Sequence, residues 1–132
     1  MTSNSLTVRT ISPDEHLAWI ASRPSVSFLQ TPAWGRVKKE WRSLSLGWFD
    51  TSGTQVGAGL ALLRPVPKVP KFFAYLPEGP DLDWSSVADD PGRWFDPLVD
   101  TLAAEGAFAV RIGPTVPMRR WGTAAIKAAM SA

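Results

Sequence analysis

Phe28 to Trp41 reads FLQTPAWGRVKKEW, and the reading of this stretch decides how the rest of the chain is laid out. Thr31 offers a hydroxyl cap, and Pro32 suits the first helical position because its missing N–H would have had no partner there. A helix is expected from about Thr31 to Trp41. Trp34, Val37 and Trp41 fall three and four apart and share a face, whereas Arg36, Lys38 and Lys39 fall outside that stripe. Two buried tryptophans with three cations near the helix end would suit an anion. The same cations are also what a solvated face carries near a helix C-terminus.

Upstream, Leu6 to Ile11 alternates and is rich in β-branched residues, which predicts a first strand. Ser12, Pro13 and Glu15 then form a helix start, with Ser12 as cap and Glu15 placed to close a capping box. Leu17, Trp19 and Ile20 give this helix its apolar side, and Arg23-Pro24 stops it. His16, the only histidine, has polar neighbours and no visible catalytic partner, so a surface position is expected for it.

Downstream, Leu44, Leu46 and Trp48 alternate with Ser43, Ser45 and Gly47 as in a half-buried strand. Asp50 to Thr54 supplies the turn, and Val56 to Leu63 returns as the second arm of a hairpin, its Gly57 and Gly59 marking a bulge or a close neighbour. Arg64 to Lys71, RPVPKVPK, cannot lie inside a sheet, because its prolines remove ladder donors; it reads as an extended basic loop at the rim. Phe72 to Leu76 is a strand ending in the turn PEGP. An amphipathic helix follows, with Trp94, Leu98 and Leu102 on one side, ended by Gly106. Pro97 is comfortable only in a first turn, so this helix should not begin much before Arg93. Phe108 to Ile112 is a strand and Gly113 to Pro117 a second proline loop. Thr123 to Met130 looks like the opening of a helix that is cut rather than finished.

The 132 residues fit one domain with a substantial core, and the seven tryptophans make that core easy to furnish. Charged residues make up 20% and hydrophobic ones 45%, and no run reaches the roughly 20 apolar residues of a membrane span. A net charge of +2 is too small to argue for nucleic acid. Without cysteine there is no disulfide framework, thiolate nucleophile or Cys-type zinc site, and the N-terminus lacks a signal-peptide core, so a cytoplasmic location is the default. No triad, metal cluster or Gly-rich pyrophosphate loop is visible, which disfavours a stand-alone acyl-CoA acetyltransferase.

Taken in order, FLQTPAWGRVKKEW, GAGLALLRPVP, FAYLPEGPDLDW and VRIGPTVPMRRW resemble blocks of the Fem family, the FemABX or MurM-like peptidoglycan bridge-forming aminoacyltransferases. The resemblance covers about Val26 to Lys127. It implies an α/β (α+β), GNAT-like fold, with a mixed, mostly antiparallel sheet and helices on its faces. Residues 1–132 would form a single GNAT-like domain, the N-terminal fragment of a longer two-domain protein. The implied activity is transfer of an amino acid from aminoacyl-tRNA to the peptide stem of lipid II or a UDP-muramyl pentapeptide, with no cofactor besides the tRNA donor. A fragment would bind the precursor but be inactive alone, with peripheral contact at the inner membrane face.

By the same resemblance, Trp34, Val37 and Lys38 match a W-x-x-V-K block whose lysine lies near the substrate diphosphate, with Arg36 the alternative in the same turn. Tyr75, Gly79, Pro80 and Asp83 match Y-x-P-x-G-P-x-x-D, whose tyrosine and aspartate lie at the muramyl-peptide groove. Position 78 is Glu where the family commonly has Lys or Arg, which reverses a charge beside that groove. The substrate-binding set implied is therefore Arg36, Lys38, Tyr75 and Asp83, bordering one cavity. A reading from a different class is a non-catalytic module that pairs with a second copy through an exposed apolar surface.

Overall fold

The structure, a computed structural model, describes residues 5–116 and 122–131. Its centre is a five-stranded sheet in the order β1 (Thr7–Ile11), β2 (Arg42–Phe49), β3 (Gln55–Pro65), β4 (Phe72–Pro77), β5 (Ala107–Gly113). All neighbours are antiparallel except β4 and β5, which run parallel. This is the α/β arrangement with a mixed, mostly antiparallel sheet expected from the sequence.

One face of the sheet carries the main core. Leu6 and Val8, Leu46 and Trp48, Ala61 and Leu63, and Ala74 and Leu76 point to it with the period of two that pleating imposes. Two helices cover them, α3 (Trp84–Asp89) and α4 (Pro91–Ala104). Trp94, Leu98 and Leu102 recur every four residues on α4 and are buried. Trp48 is fully buried and donates its indole N–H to the Trp94 carbonyl at 2.9 Å, whereas the Nε1 of Trp94, equally large and 3% exposed, is buried without a partner among the described residues.

The opposite face is covered over β1 to β3 by α1 (Pro13–Ala21), a 3₁₀ turn (Phe28–Gln30) and α2 (Pro32–Val37). The start of α1 follows its sequence: Glu15 N–H donates to Ser12 Oγ, and Ser12 N–H to the Glu15 carboxylate. A final helix, α5 (Thr123–Ser131), is exposed along its length.

Four expectations change. The helix that opens at Thr31 ends at Val37, because Lys38 leaves helical geometry (ψ 63°); Trp41 thus lies beyond it, just before β2, and Val37 is exposed rather than buried. Leu17 is exposed too, and the side of α1 that meets the sheet is led by His16, which is 1% exposed instead of lying at the surface. The residues around Ser86, expected to lead straight into Pro91, form α3. Helix α4 begins at Pro91, so Pro97 sits well inside it and forfeits one backbone hydrogen bond. Packing of the Trp94, Leu98 and Leu102 stripe outweighs that loss. Gly57 and Gly59 do have the close neighbour expected of them: a Cβ on either would meet Leu82 at 2.5 Å or Pro80 at 2.8 Å where the 80–82 segment crosses, and the register with β2 shifts beside Gly57, between Trp48 and Phe49.

Candidate binding face

The sheet opens between β3 and β4, and the candidate site is built around that opening. Ladder pairing holds from Pro65↔Phe72 to Leu62↔Tyr75 and then stops. Past Pro77 the chain turns through Glu78 (φ 53°) and a cis Gly79–Pro80 bond, and it rejoins β3 only where Asp81 and Ala58 exchange backbone bonds of 2.8 and 3.1 Å. Leu60 lies in the gap. Its N–H donates to Gln30 Oε1 at 2.8 Å, while Gln30 Nε2 donates to the carbonyls of Leu60 (3.1 Å) and Pro77 (2.7 Å). The 2%-exposed Gln30 amide thus stands in for a missing stretch of strand and satisfies backbone groups that would otherwise be buried unpaired.

The sequence alone did not single out Gln30. Its signal was present in the Q of FLQTPAW and the glycine of PEGP, since Gly79 has room for no side chain beneath that amide. Two further anchors were also missed. The Asp81 carboxylate accepts from Trp19 Nε1 at 3.0 Å and from Arg23 at 2.9 and 3.4 Å, tying the turn to α1. Glu78 accepts from the Ser27 hydroxyl. Together Ser27, Gln30, Glu78 and Asp81 line a small polar cavity of about 110 Å³.

Beyond α2 the sheet face is uncovered and carries a band of cations and aromatic rings. Lys38 Nζ lies 5.3 Å from the centre of the Trp34 ring and 5.6 Å from that of Trp41, whose ring also meets the Arg64 guanidinium at 5.8 Å. Arg64 pairs in register with Phe73, and Tyr75 pairs with Arg111, whose guanidinium is 5.7 Å from the tyrosine ring. Arg64, Phe73 and Arg111 line an open cavity of about 430 Å³ with Pro65, Val66 and Pro67. Among the described residues none of Lys38, Arg64 and Arg111 forms an ion pair. Such a band suits an anion with a flat or apolar portion, since the rings help hold the cations and offer a stacking surface.

The four residues singled out by the sequence do not gather in one of these cavities. Lys38 and Tyr75 border the band at its two sides. Arg36 turns away from it, lining a separate cavity of about 270 Å³ with Thr10, Ile11, Pro13 and Ser45. Arg36 and Lys38 are two residues apart, a spacing that already points them to different sides. Asp83 caps α3, accepting from Ser85 Oγ at 2.7 Å, Ser86 Oγ at 3.0 Å and Ser86 N–H at 3.4 Å, and these bonds hold its carboxyl below the usual range. Arg119 and Arg120, also noted in the sequence, lie outside the described residues.

Beside the Arg36 cavity, His16 Nδ1 lies 2.8 Å from Ser45 Oγ in the interior between α1 and β2. Burial pushes its pKa down to about 4, against the weaker upward pull of Asp81. It is therefore a neutral packing residue near pH 7. Among the described residues no group of three or more His, Asp or Glu is arranged to hold a metal ion, and no helix is long and apolar enough to cross a membrane.

The comparisons with known proteins agree with the blocks read from the sequence. The chain is 30% identical over 123 residues to the lipid II:glycine glycyltransferase of Staphylococcus aureus, an alignment covering 89% of this chain and 28% of that protein. The crystal structure of FemX superposes with a TM-score of 0.68 at 27% identity, covering 94% of this chain and 31% of that one. The chain therefore spans less than a third of the length of either relative. Residues 11–125 match the model of the FemAB family, and the chain belongs to that family.

Proposed function

We propose that this chain is the precursor-binding part of a Fem-type aminoacyltransferase, which transfers an amino acid from aminoacyl-tRNA to the stem peptide of lipid II or a UDP-muramyl pentapeptide. The observation that carries this reading is the open band from Lys38 through Trp41 and Arg64 to Arg111 and Tyr75. Among the described residues its three cations have no carboxylate partner, and they lie on the same side of the sheet, as a diphosphate would require. Lys38 takes the diphosphate and Tyr75 lies along the sugar and peptide; Arg64 and Arg111 add to the set named from the sequence. In this reading the precursor is held at the cytoplasmic face of the membrane.

Aminoacyl transfer asks a protein mainly to hold an amine against an activated ester and to stabilise the developing oxyanion. In this proposal the chain supplies the acceptor side, and the donor side comes from the remainder of a longer protein, so the 132 residues bind without transferring. Calorimetry with UDP-muramyl pentapeptide tests this. Binding that weakens as salt is raised is expected; a folded sample that gives no heat overturns it.

A second reading, self-association, is favoured by α5, where Ile126 (49% exposed) and Met130 (82% exposed) lie one turn apart. Size-exclusion chromatography tests it. A dimer that dissociates on Met130→Lys supports pairing through α5, and a monomer at all concentrations rejects it.

A further inference from the structure

We infer that the Arg64 to Lys71 loop is a bilayer-docking tip that seats on an anionic lipid surface. The inference deepens the proposed function and rests on it for bringing the chain to a membrane; the chemistry of the loop itself supplies the rest.

The charge is one-sided. Between Asp50 and Glu78 the sequence contains no acidic residue, while the loop leaves Lys68 and Lys71 exposed, neither of them in an ion pair among the described residues, with Arg64 at the end of β3 behind them. An anionic leaflet attracts each such cation independently of any specific headgroup.

The apex is apolar and holds its shape. Val69 is 49% exposed at the tip, with Val66, Pro65, Pro67 and Pro70 around it. The backbone is fixed by bonds from Val66 N–H to Lys71 O (3.0 Å), Lys71 N–H to Val69 O (2.8 Å) and Val69 N–H to Val66 O (3.4 Å), with Lys68 at φ 65° making the turn. Three residues of the loop are prolines with no N–H, and three more spend theirs inside it. The tip can therefore enter a headgroup layer while leaving few backbone donors unpaired. Lysine stems beside an apolar tip allow the valine to sink while the ammonium groups stay among the headgroups.

The same features argue against a nucleic acid. Single-stranded RNA binds through bases stacked on aromatic rings, and the apex presents only valine and proline, with Trp41 and Phe73 set back on the sheet.

Vesicle flotation of the 132-residue chain tests the inference without any precursor present. Vesicles of phosphatidylcholine with one part in four phosphatidylglycerol should carry the protein up, and phosphatidylcholine alone should not. Lys68→Gln/Lys71→Gln should lower partition by roughly 25-fold, from about 5-fold per lysine, while Lys68→Arg/Lys71→Arg retains it. Val69→Asp should lower it about 10-fold with every cation kept. Melting temperatures equal to that of the parent protein show that the variants fold, and Val69→Ser provides a milder second apolar loss. Equal binding to both vesicle types, or unchanged partition in the lysine and Val69 variants, overturns the inference. So does a single-stranded oligoribonucleotide that displaces the chain from vesicles by binding this loop. Calorimetry with the soluble precursor on the same samples keeps the two readings apart: precursor binding without flotation rejects the docking tip alone, and flotation without precursor binding rejects the proposed function alone.

Discussion

Gln30 fills the space above Gly79 so closely that a Cβ added to the glycine would lie 2.3 Å from the amide carbon of the glutamine. The two residues come from blocks far apart in the chain, and their contact closes the opening between β3 and β4. Gly79→Ala should therefore cost about 1–3 kcal/mol by overpacking. Gln30→Ala should cost about 3 kcal/mol, because it leaves the Leu60 N–H and two carbonyls buried without partners. Urea denaturation should find the double variant less damaged than the sum of the two, since removing the amide makes room for the new methyl.

Stability should fall with acid through one buried group. The folded pKa of His16, about 4, lies below its unfolded value of 6.5, so the unfolded chain binds the proton more readily. Its contribution is fully present above pH 6.5 and is lost progressively as pH falls towards 4, by up to ~3 kcal/mol. Denaturation midpoints measured across that range should show the slope, and His16→Gln should flatten it. An imidazole proton signal that titrates near pH 6.5 in the folded protein would contradict the burial.

Lys38 and Arg36 separate two accounts of where the anion sits. If the open band is the site, Lys38→Ala weakens precursor binding about 10-fold, and Arg36→Ala leaves it within twofold. Calorimetry at low salt decides, and the reverse result would move the site to the cavity between α1 and α2.

Asp83 is both a cap and a residue named from the sequence. Asn keeps an N-cap oxygen while removing the charge, and Ala removes both. Asp83→Ala should cost about 1 kcal/mol in stability and Asp83→Asn a few tenths. If the carboxylate only caps α3, Asp83→Asn binds the precursor as the parent protein does; weaker binding in the stable Asn variant gives it a place in the groove.

Where local chemistry is dominant, the sequence was sufficient. The Ser12 capping box, the turn from Asp50 to Thr54 and the alternation of Leu44, Leu46 and Trp48 each rest on interactions within a few residues and occur where expected; the proline-rich rim begins later than expected, because Arg64 and Pro65 still pair with Phe73 and Phe72, and it turns at Lys68 instead of running extended. What escaped depends on distant partners. His16 looked exposed because its neighbours in sequence are polar, yet Ser45, twenty-nine positions away, receives it in the interior. Gln30 looked like a polar residue before a helix, and only the departure of β4 from β3 shows why an amide must be there. The helix expected to reach Trp41 obeyed the right periodicity but stopped a turn early, because β2 begins at Arg42 and the chain must turn into the sheet. Arg36 and Lys38, two positions apart, would point to different sides of a longer helix too; Arg36 lines its cavity while Lys38 lies against the Trp34 and Trp41 rings.

The parallel pairing of β4 with β5 has a kinetic consequence. The β2–β3 hairpin joins residues close in sequence, so its loop closes cheaply. By contrast β5 can reach β4 only after α3 and α4 have crossed the sheet between them. The hairpin is thus placed to organise early and the β5 edge late, so amide hydrogen exchange during refolding should protect Leu46 and Ala61 before Val110 and Ile112.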